Sequence, residues 1–372
     1  MTLQQTFSLV FLTLINFGNP QSFSTSSTEV QKAPNVILFI GDGMGHSQLS
    51  SALYFGNKKP NYLRFPVVGL SRTSSSSHKI TDSAAGATAF SCGVKTYNGA
   101  IGMGPDSTAL PTILEKLEDQ SWQSGLIATS SITHATPASF YGHVKLRKQE
   151  FDLAEQLIAS KVDFFAGGGK RFFFRRLDEK NLFPAIEANN LLLDTLELTA
   201  KNWQEGKRYG YLLAEDGLPP VEEGRGDFLT EATNLALDYF KMQEAPFFLV
   251  VEGSQIDWGG HANEGNYLVS EMLDFDRAIG AALDFAEKEG NTLVIVTADH
   301  ECGGFALKAT TKKVPFMGEV DDYDSLSYSF GTDGHTGTMV PVLAYGPKAE
   351  KFGGIYQNNT IYEKIISAIM GL

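Results

Sequence analysis

Three short apolar runs punctuate the chain, "NVILFI" at 35–40, "FFLVV" at 247–251 and "TLVIV" at 292–296, and none alternates strictly with polar residues. Runs of this kind fit parallel strands buried on both faces. Between them, apolar positions recur at helical spacing. The clearest case is "NYLVSEMLDFDRAIGAALDFAEKEG", in which Leu268, Met272, Phe275, Ile279, Ala282 and Ala286 fall on one stripe. Strands alternating with helices predict an α/β fold, with a layered, mostly parallel central sheet and helices on both faces. Two stretches richer in polar and charged residues, near 171–226 and 306–334, are expected to be surface insertions or a lid.

The N-terminal segment carries an apolar stretch from Phe7 to Phe17, followed by small polar residues. It is too short to cross a bilayer and matches the core of a signal peptide, although the usual positive n-region is missing. The expected organisation is a signal peptide over 1–24, a linker over 25–34 and a single domain over 35–372. Such a protein is expected to be exported, to the periplasm or the extracellular space, without a transmembrane anchor; a disordered leader is the alternative reading of the segment.

Composition narrows the classes of function. The 372 residues are 42% hydrophobic and include 37 glycines, enough for one large core. A net charge of −13 excludes a general nucleic-acid-binding surface and an anionic-membrane grip, both of which need basic faces. Only two cysteines occur, Cys92 and Cys302. They allow two free thiols, the default reading, or one bridge. Their spacing offers no cysteine-type zinc motif, so any metal is expected on histidines and carboxylates.

Those carboxylates sit where the apolar runs end: Asp42 in "NVILFIGDGMG", Glu252 in "FFLVVEGSQIDWGGH", and Asp299 beside His300 in "TLVIVTADHE". In open α/β sheets, ligands bind beyond the carboxyl ends of the strands. Asp257 and His261 are four apart, and His335 lies in the turn-rich "TDGHTG". A lone acidic strand end is usually a cap and a lone histidine usually packs, but together they suit cations. Asp and His together suit zinc, and an oxygen-rich set suits magnesium. "GDGMGH" lacks the spacing of a dinucleotide loop, "GGGKR" lacks the P-loop ends, and no G-x-S-x-G surrounds Ser83. In "TDSAAGATAF", Ser83 either caps a helix or presents its hydroxyl at the positive helix end.

Read in order, "IGDGMG", "TDSAAGATA", "GVKTYNGAIG", "ATPA", "VEGSQID" and "VTADH" make the chain resemble the alkaline phosphatases from about Asn35 to the C-terminus. The resemblance implies hydrolysis of phosphate monoesters through a covalent phosphoserine on Ser83. It implies two zinc ions and one magnesium ion per chain. Asp42, Asp299 and His300 would hold the zinc beside Ser83, Asp257, His261 and His335 the second zinc, and Asp42, Thr136 and Glu252 the magnesium. Arg147, in "HVKLRK", would bind phosphate, and a homodimer is the usual assembly.

Simpler roles compete at three positions. Thr136, before Pro137, could cap a helix, Arg147 could be a solvated charge, and Asp82 either caps the Ser83 helix or orients Arg147. In one bacterial version of the family an aspartate stands where this chain has His134, and a lysine where it has Trp258. His134 is therefore either a ligand drawing zinc to the third site or a supporting group, and Trp258 removes an ammonium from the phosphate. Two rival readings remain open, a diesterase or sulfatase on a related fold, and a silent metal- or phosphate-binding protein.

Overall fold

The computed structural model describes residues 33–200, 203–204 and 206–370. The expected signal peptide lies outside the described residues, as does nearly all of the linker. Among the described residues fourteen strands occur: β1 Asn35–Gly41, β2 Val67–Arg72, β3 Gln123–Ser131, β4 Phe164–Gly168, β5 Leu191–Asp194, β6 Arg208–Leu212, β7 Phe247–Gly253, β8 Thr292–Thr297, β9 Glu301–Cys302, β10 Ala306–Val314, β11 Gly318–Ser329, β12 His335–Thr336, β13 Val340–Tyr345 and β14 Gly354–Gln357. Ten of them form one sheet in the order β14-β2-β13-β8-β1-β7-β3-β4-β6-β5. Every pairing is parallel except those of β13, which runs against β2 and β8.

The three apolar runs become β1, β7 and β8, adjacent at the centre, with every residue of each buried. Successive side chains on a strand point to opposite faces, so both faces need cover. Val36, Leu38 and Ile40 pack with Phe90, Ile113, Leu153 and Ile361 on one side. Ile37 and Phe39 pack with Leu237, Phe240, Met272 and Phe275 on the other. The predicted stripe lies on the helix Gly265–Glu289, with all six of its positions buried. Phe275 meets Phe39 edge-on at 5.7 Å between ring centroids. Cutting Phe275 to alanine would remove a fully buried ring, a loss of about 3–5 kcal/mol.

The polar stretch 171–226 is more than a surface insertion, because β5 and β6 within it extend the main sheet at its edge. The other stretch holds a separate antiparallel ribbon of β10 and β11, largely exposed. Register brings the functional strand ends level: Ile40 of β1 pairs with Glu252 of β7 and with Thr297 of β8. Asp42 and Asp299 therefore emerge just beyond the sheet, next to Glu252.

Candidate active site

Donor atoms converge there in three groups, each with its atoms within 4.8 Å of one another. Asp42, Asp299 and His300 form the first, and Asp257, His261, His335 and Cys302 the second. Asp42 also joins Glu252 and His134 in a third. Asp257 and His261 share the helix Gln255–Ala262, where a spacing of four residues places them on one face. His335 enters from β12, directly across from Cys302 of β9. The His300 and His335 rings stack at 3.5 Å, which joins the first two groups.

Close approach depends on small residues. Gly43 has φ +74°, and a Cβ there would lie 2.7 Å from the Asp257 Cα and 2.9 Å from the Cys302 Cβ. A Cβ on Gly86, in the Ser83–Cys92 helix, would lie 2.9 Å from the Asp299 Cβ. The alanine and glycine run after Ser83 thus lets the helix lie against the acidic strand end.

Ser83 is the first residue of that helix, and Asp82, not Ser83, is its cap. One Asp82 oxygen accepts from Ala85 N at 3.1 Å. The other accepts from Gly99 N at 3.0 Å and from Arg147 NH1 at 3.2 Å. Both roles considered for Asp82 are therefore filled at once, and Arg147 is a held side chain rather than a solvated charge. Freed from capping, Ser83 Oγ lies 3.3 Å from Asp42 Oδ1 and 3.3 Å from His300 Nε2. Thr136 does not cap either: His134 is the N-cap of the helix Ala135–Ala138. Thr136 Oγ1 is instead a buried hydroxyl without a hydrogen-bond partner.

Burial and crowding set the electrostatics. Burial, reinforced by the charges of Asp299, Asp257 and Glu252, pushes the Asp42 carboxyl well above the carboxylate range. Burial raises Glu252 to about 7. Burial and the Arg147 cation lower His134 to about 3, so its ring is neutral. Burial works against the charges of Asp299 and His300 as well, but their attraction outweighs it, lowering the acid and raising the ring. Carboxylates packed this closely repel one another unless cations lie among them.

Two observations test whether the residues fit metal ions. Among the described residues, sixteen buried side-chain polar atoms lack a hydrogen bond, and seven belong to this site: Asp42 Oδ2, His134 Nδ1, Thr136 Oγ1, Glu252 Oε1, Asp257 Oδ1, Asp299 Oδ2 and His300 Nδ1. Such atoms are normally satisfied, so their clustering points to ligands. His261 Nδ1 also donates to Asp333 O at 2.6 Å, and His335 Nδ1 to Thr81 O at 3.0 Å. A carbonyl oxygen only accepts, so each Nδ1 carries the ring proton. With Nδ1 the only protonated nitrogen of each ring, two Nε2 lone pairs would face each other at 3.1 Å, an arrangement a shared cation satisfies.

A family model described as Alkaline phosphatase matches residues 33–331. The chain belongs to the alkaline phosphatase family. Alkaline phosphatase 3 of Bacillus subtilis (strain 168) is 33% identical, over 97% of this chain and 95% of that protein. The alkaline phosphatase of Escherichia coli (strain K12) is 29% identical, over 95% and 89%. Among solved structures, the alkaline phosphatase from the Antarctic bacterium TAB5 is 51% identical with a TM-score of 0.88, covering 91% of this chain and 99% of that one. A His-to-Asp variant of the TAB5 enzyme, with Mg bound in its M3 site, is 50% identical at the same TM-score, covering 91% and 99%.

Within this alkaline phosphatase fold, every site residue expected from sequence falls in or beside the three groups. Trp258 follows Asp257 and sets its ring edge-on to His134 at 6.3 Å between centroids. Arg147 NH2 contacts His134 Nε2 at 3.1 Å, a pairing no sequence spacing indicated. Cys302 was missed as well. It was set aside for want of a cysteine pair, yet it enters a mixed group with one thiol, which only tertiary structure reveals. Both cysteines are free, and burial pushes the Cys302 thiol upward.

Proposed function

We propose that this alkaline phosphatase hydrolyses phosphate monoesters in two displacements, with Ser83 as the nucleophile. The observation that carries the proposal is the place of Ser83 Oγ: at a helix N-terminus, 3.3 Å from both Asp42 and His300. The residues to hold metals are Asp42, Asp299 and His300 for one zinc and Asp257, His261 and His335 for the other. Asp42, Thr136 and Glu252 would hold magnesium. Bound there, these ions supply Lewis-acid charge that favours the serine alkoxide and neutralises the departing oxygen.

The chain's own residues do the rest. Ser83 Oγ forms a bond to phosphorus as the ester P–O bond breaks, and water later breaks the phosphoserine. The positive end of the Ser83–Cys92 helix stabilises charge on the phosphoryl oxygens. Arg147 offers two parallel donors to those oxygens, and Asp82 fixes the plane of its fork. While His134 Nε2 accepts from Arg147, its ring proton sits on Nδ1. In that state His134 serves the arginine and is a supporting group, not a metal ligand. His134 already lies within the third group, so when Arg147 turns to substrate the ring is free to offer a lone pair there. The His-to-Asp variant of the TAB5 enzyme has Mg bound in its M3 site, which supports magnesium as the ion for the third group here.

A phosphate with three free oxygens uses the arginine fork and the helix end together, which favours monoesters over diesters and sulfate esters. Steady-state rates on paired aryl monoester, diester and sulfate substrates test this. The proposal expects the monoester to be faster by orders of magnitude, and equal rates would overturn it. The same reading includes export, a homodimer, and two zincs with one magnesium per chain. The mature N-terminus, the mass in solution and elemental analysis check these in turn.

A further inference from the structure

We infer that Cys302 is a further ligand of the metal held by Asp257, His261 and His335, which makes that site a mixed thiolate, carboxylate and imidazole centre. The inference rests on the metal sites proposed above and goes beyond their ligand set. Four donors of three types meet within 4.8 Å, and the thiol is one of them. Cys302 is wholly buried and has no freedom to wander. Its N–H donates to Gly43 O at 3.0 Å, and its carbonyl accepts from Gln48 Nε2 at 2.8 Å. The β9–β12 pairing sets it opposite His335. The bare α-carbon of Gly43 leaves room for its Cβ and for Asp257, either of which a Cβ at that position would meet at about 2.9 Å.

A second observation points to a ligand at the same place. Asp257 Oδ1 is buried without a hydrogen bond and lies 3.5 Å from His335 Nε2, which the proton on Nδ1 leaves without one of its own. A thiol binds a metal as thiolate, so one proton leaves Cys302 for solvent as the sulfur–metal bond forms. No oxidation is involved. Soft sulfur favours zinc, cadmium and cobalt over magnesium, so the sulfur would bias the solvent-facing site toward softer ions while the oxygen-rich third group keeps magnesium.

The test replaces zinc by cobalt in the otherwise intact protein, because a thiolate on Co²⁺ gives a near-ultraviolet charge-transfer band that nitrogen and oxygen ligands do not. Wild-type protein and Cys92→Ser are expected to show the band. Cys302→Ser and Cys302→Ala, with folding checked by circular dichroism, are expected to lose it while still binding cobalt. Cobalt bound at full stoichiometry with no band in the wild type would overturn the inference and leave the proposed metal sites standing. Failure to bind cobalt at all would overturn both.

Discussion

The first and second donor groups are built on opposite principles. Asp42, Asp299 and His300 are wholly buried, on chain that leaves the central strands β1 and β8. Their place follows from sheet register, which the core on both faces enforces. His261 is exposed, and His335 stands on a strand of two residues. Their orientation comes from two backbone carbonyls, Asp333 O and Thr81 O, that accept hydrogen bonds from the Nδ1–H groups. The buried group follows from the central sheet, and the more open one is set by a short helix and a two-residue strand pair beside it. The buried group suits activation of a serine away from water, and the open group suits a leaving alcohol that must depart.

The largest effect should separate the groups by substitution. Asp42 serves two groups and His261 only one. Asp42→Ala is expected to lower kcat/KM by about 1,000-fold or more, several kcal/mol of lost charge stabilisation. His261→Ala should cost about tenfold less, because other donors remain in its group. Steady-state kinetics with added metal would show this, and an equal loss in both would break the comparison.

Chelation should divide the groups next. Metal is expected to leave the open group first, giving two phases by elemental analysis, and the metal-free protein should melt at lower temperature. Its stability should also fall with rising pH. The folded-state pKa of Glu252 is raised to about 7. The unfolded chain loses that proton near 4.3, so between roughly pH 4.3 and 7 it binds fewer protons than the folded form. Rising pH then favours unfolding. Thermal melts of metal-free protein across that range should show the decline, and metal-loaded protein should flatten it.

Smaller effects concern the phosphate cradle between the groups. Arg147→Lys keeps the charge but loses the paired donors, so KM and the phosphate inhibition constant should each rise about tenfold, with kcat changed less. Trp258→Lys restores an ammonium near the phosphate and should tighten phosphate inhibition a few-fold, within about 1 kcal/mol. Unchanged inhibition would show that an ammonium at this position does not reach the phosphate.

Much of the buried group was legible in the sequence, because β1, β7 and β8 announce themselves as unbroken apolar runs and their acidic ends follow directly. The long helix was legible for a similar reason, through one stripe of six buried positions. The cap at Asp82 was harder, since Asp and Ser both cap well and only geometry separates adjacent candidates. Strands β5 and β6 were hidden because edge strands in polar surroundings carry weak periodicity. Cys302 and the Arg147–His134 contact were invisible because they join residues far apart in sequence, or of types that carry no motif. The metal roles themselves came from the family resemblance, to which the orphaned polar atoms now add a physical reason.

The central claim is that Ser83, placed between Asp42 and His300, becomes covalently phosphorylated. The most direct measurement is to quench the zinc- and magnesium-loaded protein in acid during turnover of a phosphate monoester and to map phosphate on its peptides by mass spectrometry. The account predicts one phosphoserine, at Ser83, absent from a Ser83→Ala protein that keeps its metals and loses most turnover. Full turnover by Ser83→Ala, or phosphate trapped at another residue, would contradict it.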